Sequence, residues 1–179
     1  TFGRVSEHGA APLCWSVAHL GPIGATASDV AAAYAVMAGM DSKDNHSMIQ
    51  PPVDLSGFGG EHINGVRLGV YRPWFRDAKQ DVVEVCEQVL DGLRERGALM
   101  QNVEILDLDL ANTAHLVTIA SEMAATQAKH QAEDHTRFGL DIRMNLVLAG
   151  ELASADYVQA QRVRGRAIMR VLSAFSHVD

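Results

Sequence analysis

Apolar and polar positions along the chain mark out an irregular opening, a strand–helix–strand middle and a helix-rich second half. Residues 1–24 carry Gly3, Gly9, Pro12, Gly21, Pro22 and Gly24, a density that breaks regular structure and predicts loops wrapped over another part of the fold. The stretch TASDVAAAYAVMAGM then sets Val30, Ala33, Tyr34 and Met37 on one helical face. Ser28 is the expected N-cap, Asp29 falls in the first turn and Gly39 is the stop, so a short amphipathic helix is predicted. Residues 41–64 are polar and rich in Gly and Pro, and their length predicts a surface excursion rather than a tight turn.

VRLGVY, bounded by Gly65 and Pro73, is a short apolar run that predicts a buried strand. Asp81 and Glu84 form the capping-box pattern D-x-x-E ahead of Val82, Cys86, Val89 and Leu93 at helical spacing, with Gly97 as terminator. NVEILDL, residues 102–108, reads as a second strand. Strand, helix and strand over this distance make a βαβ unit with parallel neighbours. The second half lacks Gly and Pro over 111–133 and predicts one long helix, then after DHTRFG a shorter helix over 141–150. Ser154 is expected to cap a last helix that turns Tyr157, Ala160, Ile168, Val171 and Phe175 inward. The fold class is therefore α/β: a parallel or mixed sheet flanked by helices, with a helix-rich second half.

Composition narrows the function classes. A chain of 179 residues, 47% hydrophobic and 21% charged, suits one globular domain. A formal net charge of −7 argues against nucleic acid as a partner, because that affinity comes from Lys and Arg displacing counterions. Cys14 and Cys86 stand far apart, without the spacing of a disulfide framework or a zinc knuckle, which fits a reducing, cytoplasmic compartment. No apolar run reaches the roughly 18 residues of a membrane helix, so no span is predicted in this segment.

Several clusters invite chemistry and have simpler explanations. Asp41, Asp44 and His46 could hold a divalent cation, yet the calcium-loop pattern is absent, and Asp in loops more often bonds its own backbone. His130 and Glu133 share a helix face beside Asp134 and His135, but no partner Glu-x-x-His motif accompanies them, and a solvated helix end is expected. Arg162, Arg166 and Arg170 recur every four residues, with Arg164 on another face, as expected of a solvated or inter-helix pairing stripe. Cys14 with His19 lacks the context of a nucleophile and its base, and Gly57, Gly59 and Gly60 lack the preceding strand and following Lys-Ser/Thr of a phosphate loop. None of these clusters is expected to hold a metal ion.

The opening is the specific part. GRVSEHGAAP, the following WS, GPIG and then GMDSKDNHS place Gly3 to Ser6, Gly9, Pro12, Ser16, Gly21, Pro22, Gly39, Asp41, Asp44 and Ser47 in one order and spacing. That arrangement resembles the amidase signature family, whose loops G-R-V-S-x-x-G-x-x-P, S-x-x-x-x-G-P and G-x-D-x-x-D-x-x-S follow one another in this way. The resemblance continues through GVRLGVYRPWF, GALMQNVEI and SADYVQAQRVRGR, and around Trp74, Phe75 and 154–164 it is strongest to the fatty-acid amide hydrolase-like branch. Two positions depart: Ala18 stands where the family usually has Asp, and Ala25 where it usually has Arg.

The resemblance implies a partial amidase-signature fold and a hydrolase of carboxylic amides that acts through a Ser nucleophile, a second Ser joined by a cis peptide, and a Lys base. It places that triad before Thr1, so Lys43, Lys79 and Lys129 receive no catalytic role, and it predicts that 1–179 is an internal portion of a single amidase domain, cut at both ends and inactive alone. It further implies a small-molecule amide substrate, with Phe138, Leu140, Met144 and Leu148 beside the acyl channel, and Trp15 and Ser16 near loops that cover the site. Unpaired strand edges and apolar faces in such a piece would favour self-association, a homo-oligomer included. Two alternatives stay open: a non-catalytic interaction module or pseudoenzyme, and a subunit of a glutamine-dependent amidotransferase.

Overall fold

The computed structural model describes residues 2–60 and 63–179; Glu61 and His62, within the expected surface excursion, and Thr1 lie outside the described residues. The chain forms two compact units, Thr1–Gly60 with Val117–Ala153, and Glu61–Leu116 with Ser154–Asp179. Both expectations of an α/β composition and a helix-rich second half hold, with one small parallel sheet.

In the first unit, residues 2–24 contain no helix or named strand, as their Gly and Pro content predicts. Helix α1 spans Ala27–Met37. Its N-cap is Thr26, not Ser28: the Thr26 hydroxyl accepts the Asp29 N–H at 3.1 Å while the Asp29 carboxylate accepts the Thr26 N–H at 3.0 Å. Ser28 has no such reciprocal partner three residues on, and T-x-x-D is the better sequence signal. Val30, Ala33 and Tyr34 are half-buried and Met37 is exposed, so the face is shallower than expected. The rest of this unit comes from the later part of the long helix α4 (Leu108–Asp134), a 3-10 turn at His135–Arg137, and helix α5 (Leu140–Gly150). Its buried residues include Gly3, Cys14, Met123, Leu146 and Ala149, with the polar Thr118 and Glu122.

The second unit is built on the βαβ motif. Strand β1 (Arg67–Val70) runs parallel to β2 (Leu99–Asn102), in a register from Arg67 against Leu99 to Val70 against Asn102. The short helix α2 (Arg72–Phe75) and helix α3 (Gln80–Glu95) lie between them in sequence. The second strand falls earlier than NVEILDL: it takes Leu99–Asn102, the ladder continues only to Val103, and Asp107, at φ +56°, turns the chain into α4 at Leu108. The apolar residues Ile105, Leu106 and Leu108 thus lead into a helix, which an apolar run alone cannot distinguish from a strand. Of β1 only Val70 is buried, because this sheet has two strands.

The expected capping box at Asp81 is absent. Helix α3 starts at Gln80 with Lys79 as an N-cap that makes no side-chain bond, so Asp81 sits inside the first turn, where its charge favours the helix dipole. Val82, Cys86 and Val89 are exposed and Leu93 is half-buried. In α6 (Ser154–Ala174), Ala160 is buried and Tyr157 and Val171 are half-buried, but Ile168 and Phe175, expected inward, are exposed. The helical periods agree with the sequence pattern; the described residues simply leave parts of these faces uncovered. Among those residues no helix is long and apolar enough to cross a membrane.

Asp179 is tied to the start of β1. The Asp179 N–H donates to the Arg67 carbonyl at 2.9 Å, and the Asp179 carboxylate pairs with the Arg67 guanidinium at 2.7 Å, which holds the Asp179 carboxyl down at about 2. At the other end of α3, Gly97 takes φ +96°, and an added Cβ would collide with the Asn64 side-chain oxygen. Gly97→Ala is expected to destabilise the protein by about 1–2 kcal/mol through backbone strain and this clash. Urea unfolding should show a lower midpoint with an unchanged slope.

Candidate functional site

The opening loops are held by the motif residues themselves. Ser6 Oγ donates to Asp41 Oδ2 at 2.8 Å, and the Glu7 N–H donates to Asp44 Oδ2 at 2.8 Å. Ser47 Oγ lies 2.8 Å from the Asp41 carbonyl and 2.9 Å from that of Asp44, and it also receives the Asp41 N–H at 2.8 Å. Arg4 reaches Tyr34 of α1 at 3.2 Å and Gln50 at 3.1 Å. Backbone bonds from Gly39 N–H to Arg4 and from Met48 N–H to Gly3 strap the start of the loop between the end of α1 and 46–48. Gly3 sits at φ +69°, and a Cβ there would meet the His46 carbonyl oxygen at 2.6 Å, so the close approach requires glycine.

Asp41 and Asp44 are therefore structural acceptors. Their other oxygens take the Lys43 N–H at 2.9 Å and the His46 N–H at 2.8 Å. The Lys43 amide and the Ser6 hydroxyl hold the Asp41 carboxyl below the usual carboxylate range, and the Glu7 and His46 amides do the same for Asp44. Among the described residues, no group of three or more His, Cys, Asp or Glu side chains is placed to hold a metal ion.

A cleft of about 310 Å³ opens beside these loops, lined by Glu7, His8, Pro12, Leu13, Cys14, Trp15, His19, Lys43, Asp44 and His46 among others. Trp15 lies on its wall with 41% of its surface exposed. Cys14 and His19 both line the cleft, but among the described residues no hydrogen bond joins them; His19 Nδ1 lies 2.8 Å from the Val17 carbonyl. Burial, and then the charges of Glu122 and Glu7, push the Cys14 thiol up, the opposite of an activated thiolate.

Ser16 turns away to α4. Its N–H donates to Glu122 Oε2 at 2.9 Å and its hydroxyl to Glu122 Oε1 at 2.5 Å. One turn on, Thr126 Oγ1 donates to the Leu13 carbonyl at 2.8 Å, and Gln127 Nε2 donates to the Pro12 carbonyl at 2.5 Å. Sequence reasoning misses Glu122, Thr126 and Gln127, because 111–133 reads only as a good helix. The available signal is Thr118, Glu122 and Thr126 at four-residue spacing in an Ala-rich helix, a polar row on one side. Thr118 and Glu122 are both buried.

Phe138, Leu140, Met144 and Leu148 do not line the Trp15 cleft. Phe138 is half-buried, while Leu140, Met144 and Leu148 are 65%, 59% and 64% exposed. With Val147 they form an open apolar stripe along α5, whose opposite side buries Leu146 and Ala149. The remaining clusters behave as surface charge. His130 and Glu133 are a 3.6 Å pair on an exposed helix face, Arg170 pairs with Asp107, and the Gly57–Gly60 turn is exposed.

The Amidase family model matches residues 1–179. A fatty acid amide hydrolase of Oryza sativa subsp. indica is 30% identical over 186 residues, covering 100% of this chain and 31% of that protein. An amidase of Pseudomonas putida is 31% identical over 180 residues, covering 100% of this chain and 39% of its own length. The chain thus spans about a third of these curated relatives. The crystal structure of a glutamyl-tRNA(Gln) amidotransferase subunit from Thermotoga maritima superposes with a TM-score of 0.83 at 22% identity, over 100% of this chain and 39% of that one, which shows the shared fold.

The loop geometry sets a pH dependence. Folded values for Asp41 and Asp44 lie below their ordinary 3.8, so their contribution to stability is complete above that range and is lost as pH falls through the folded values. Asp44→Asn should be less stable than the parent protein by a constant margin at neutral pH, and the margin should shrink as pH drops below about 4. Denaturation midpoints measured between pH 2.5 and about 7 check this.

Proposed function

This chain belongs to the amidase signature family, and from that premise we propose that it forms the substrate-facing portion of a hydrolase of carboxylic amides. In this proposal residues 1–179 are part of a longer amidase domain. A Ser nucleophile, a second Ser and a Lys base, all supplied by sequence outside 1–179, carry out the chemistry. The nucleophile attacks the carbonyl carbon as its proton passes through the second Ser to Lys; backbone N–H groups take the developing oxyanion; the amine leaves with the proton; and water releases the acyl group. The relay uses neither a metal nor an organic cofactor.

The observation that carries the substrate side is the stripe of Leu140, Met144, Val147 and Leu148 on α5, four large apolar side chains each more than half exposed. An apolar patch of this kind marks a surface that something apolar covers. In an amidase the natural occupant is the acyl part of the substrate, which agrees with the fatty-acid amides named for the rice relative. Trp15, on the wall of the cleft beside the opening loops, is the second substrate-facing group, and Phe138 borders the stripe at the start of α5.

Two measurements test the proposal. Residues 1–179 expressed alone should release no amine from a fatty-acid amide above the buffer rate, and genuine turnover by the purified chain would contradict the assignment of the triad to other sequence. In the full-length protein, Met144→Trp and Leu148→Trp should shift preference toward shorter acyl chains by about tenfold in kcat/KM, the scale of one or two methylenes in an apolar pocket. Unchanged chain-length selectivity would remove α5 from the acyl site.

A further inference from the structure

We infer that Glu122 is a positioning residue for substrate binding: from α4 it fixes the loop 12–16 so that Trp15 stands on the wall of the cleft. The inference rests on reading Trp15 as substrate-facing.

Glu122 is only 2% exposed, and a carboxylate in that situation is costly unless strong donors meet it. Ser16 meets it twice, through its N–H at 2.9 Å and its hydroxyl at 2.5 Å. This bidentate grip fixes the backbone and the side chain of one loop residue together. Thr126 and Gln127, one turn further along α4, hold the carbonyls of Leu13 and Pro12. The loop is therefore pinned at Pro12 and Leu13 on one side of Trp15 and at Ser16 on the other. Trp15 itself makes no bond to α4 among the described hydrogen bonds, so its placement is inherited from these pins together with the turn closed on the Cys14 carbonyl.

Within the loop the Val17 and Ala18 N–H groups donate to the Cys14 carbonyl at 3.3 and 2.8 Å, which closes a turn at Trp15. The loop carries Gly9, Pro12 and Gly21 and belongs to no helix or named strand, so the seating of that turn against α4 depends on the side-chain partners. If packing alone were needed beneath Ser16, an apolar residue at 122 would suit a helix that already buries Met123. A buried carboxylate offering two oxygens to adjacent donors supplies direction as well as contact. The consequence is specific: loss of Glu122 should weaken ground-state and transition-state binding together, leaving the chemical step intact.

The test uses the full-length protein with dodecanamide as substrate. Glu122→Ala should raise KM at least tenfold with kcat within about twofold, and Glu122→Gln, which keeps an acceptor for the Ser16 N–H, should recover most of that loss. Ser16→Ala added to Glu122→Ala should raise KM little further, because both changes break the same contact. Trp15→Ala should raise KM alone. With Trp74 and every other tryptophan of the full-length protein except Trp15 replaced by Phe, the Trp15 fluorescence should shift to longer wavelength in Glu122→Ala and return in Glu122→Gln. A KM within twofold of the parent in Glu122→Ala overturns the inference if Trp15→Ala still raises KM; if neither variant moves KM, the substrate-facing reading of Trp15 fails and the inference with it. Should Glu122→Ala not fold, Glu122→Gln and Ser16→Ala carry the test: an unchanged KM together with an unchanged Trp15 spectrum in Ser16→Ala overturns it.

Discussion

A carboxylate with almost no access to water, gripping both the backbone and the hydroxyl of Ser16, is the constraint on which the first unit depends. Loops that lack regular structure satisfy only part of their polar groups through their own turns, so their seating is set by what they are tied to. Here the ties come from two directions. Glu122, Thr126 and Gln127 hold 12–16 from α4, and Asp41, Asp44 and the Met48 amide hold 3–7 from the polar excursion. The cleft lined by Cys14, Trp15 and His19 lies where these held segments meet.

This arrangement explains why the motif residues recur at fixed spacing. Ser6 needs an acceptor at Asp41, the Glu7 amide needs one at Asp44, and Ser47 closes the turn by bonding both of their carbonyls. None of these side chains has to touch a substrate to be indispensable. Their chemistry is that of anchors, and the Asp41 and Asp44 carboxyls sit below the usual range chiefly because backbone amides, and for Asp41 also the Ser6 hydroxyl, donate to them. The open stripe on α5 is a different kind of feature, a surface whose apolar side chains have no occupant among the described residues. Anchored loops on one hand and an uncovered apolar helix on the other are the two features on which the proposed amide-binding role rests.

Much of this is legible in the sequence because it is local. The irregular opening follows from Gly and Pro density, the βαβ unit from the alternation of short apolar runs with a helical period, and α4 and α5 from uninterrupted helix formers. The errors are also local in origin. Ser28 and Thr26 are both good caps, and only the reciprocal bond with Asp29 decides between them. Residues 105–108 are apolar enough for a strand, but the register set by Arg67 against Leu99 uses the ladder before they are reached. What cannot be read is anything joining distant residues: a Glu in an Ala-rich helix gives no sign that a serine 106 positions earlier lies on top of it. Nor does a period of apolar positions say whether a face is covered, which is why Ile168 and Phe175 are expected inside and lie outside.

Amide hydrogen exchange reads the central constraint without reference to activity. If the Glu122 carboxylate holds the loop, the Ser16 amide is protected in the parent protein, and replacing Glu122 by Ala removes that protection while the amides of β2 and the middle of α3 exchange as before. An unaltered Ser16 exchange rate in that variant, or an equal rise at every amide in the molecule, would show that the loop keeps its shape by other means and would contradict the account.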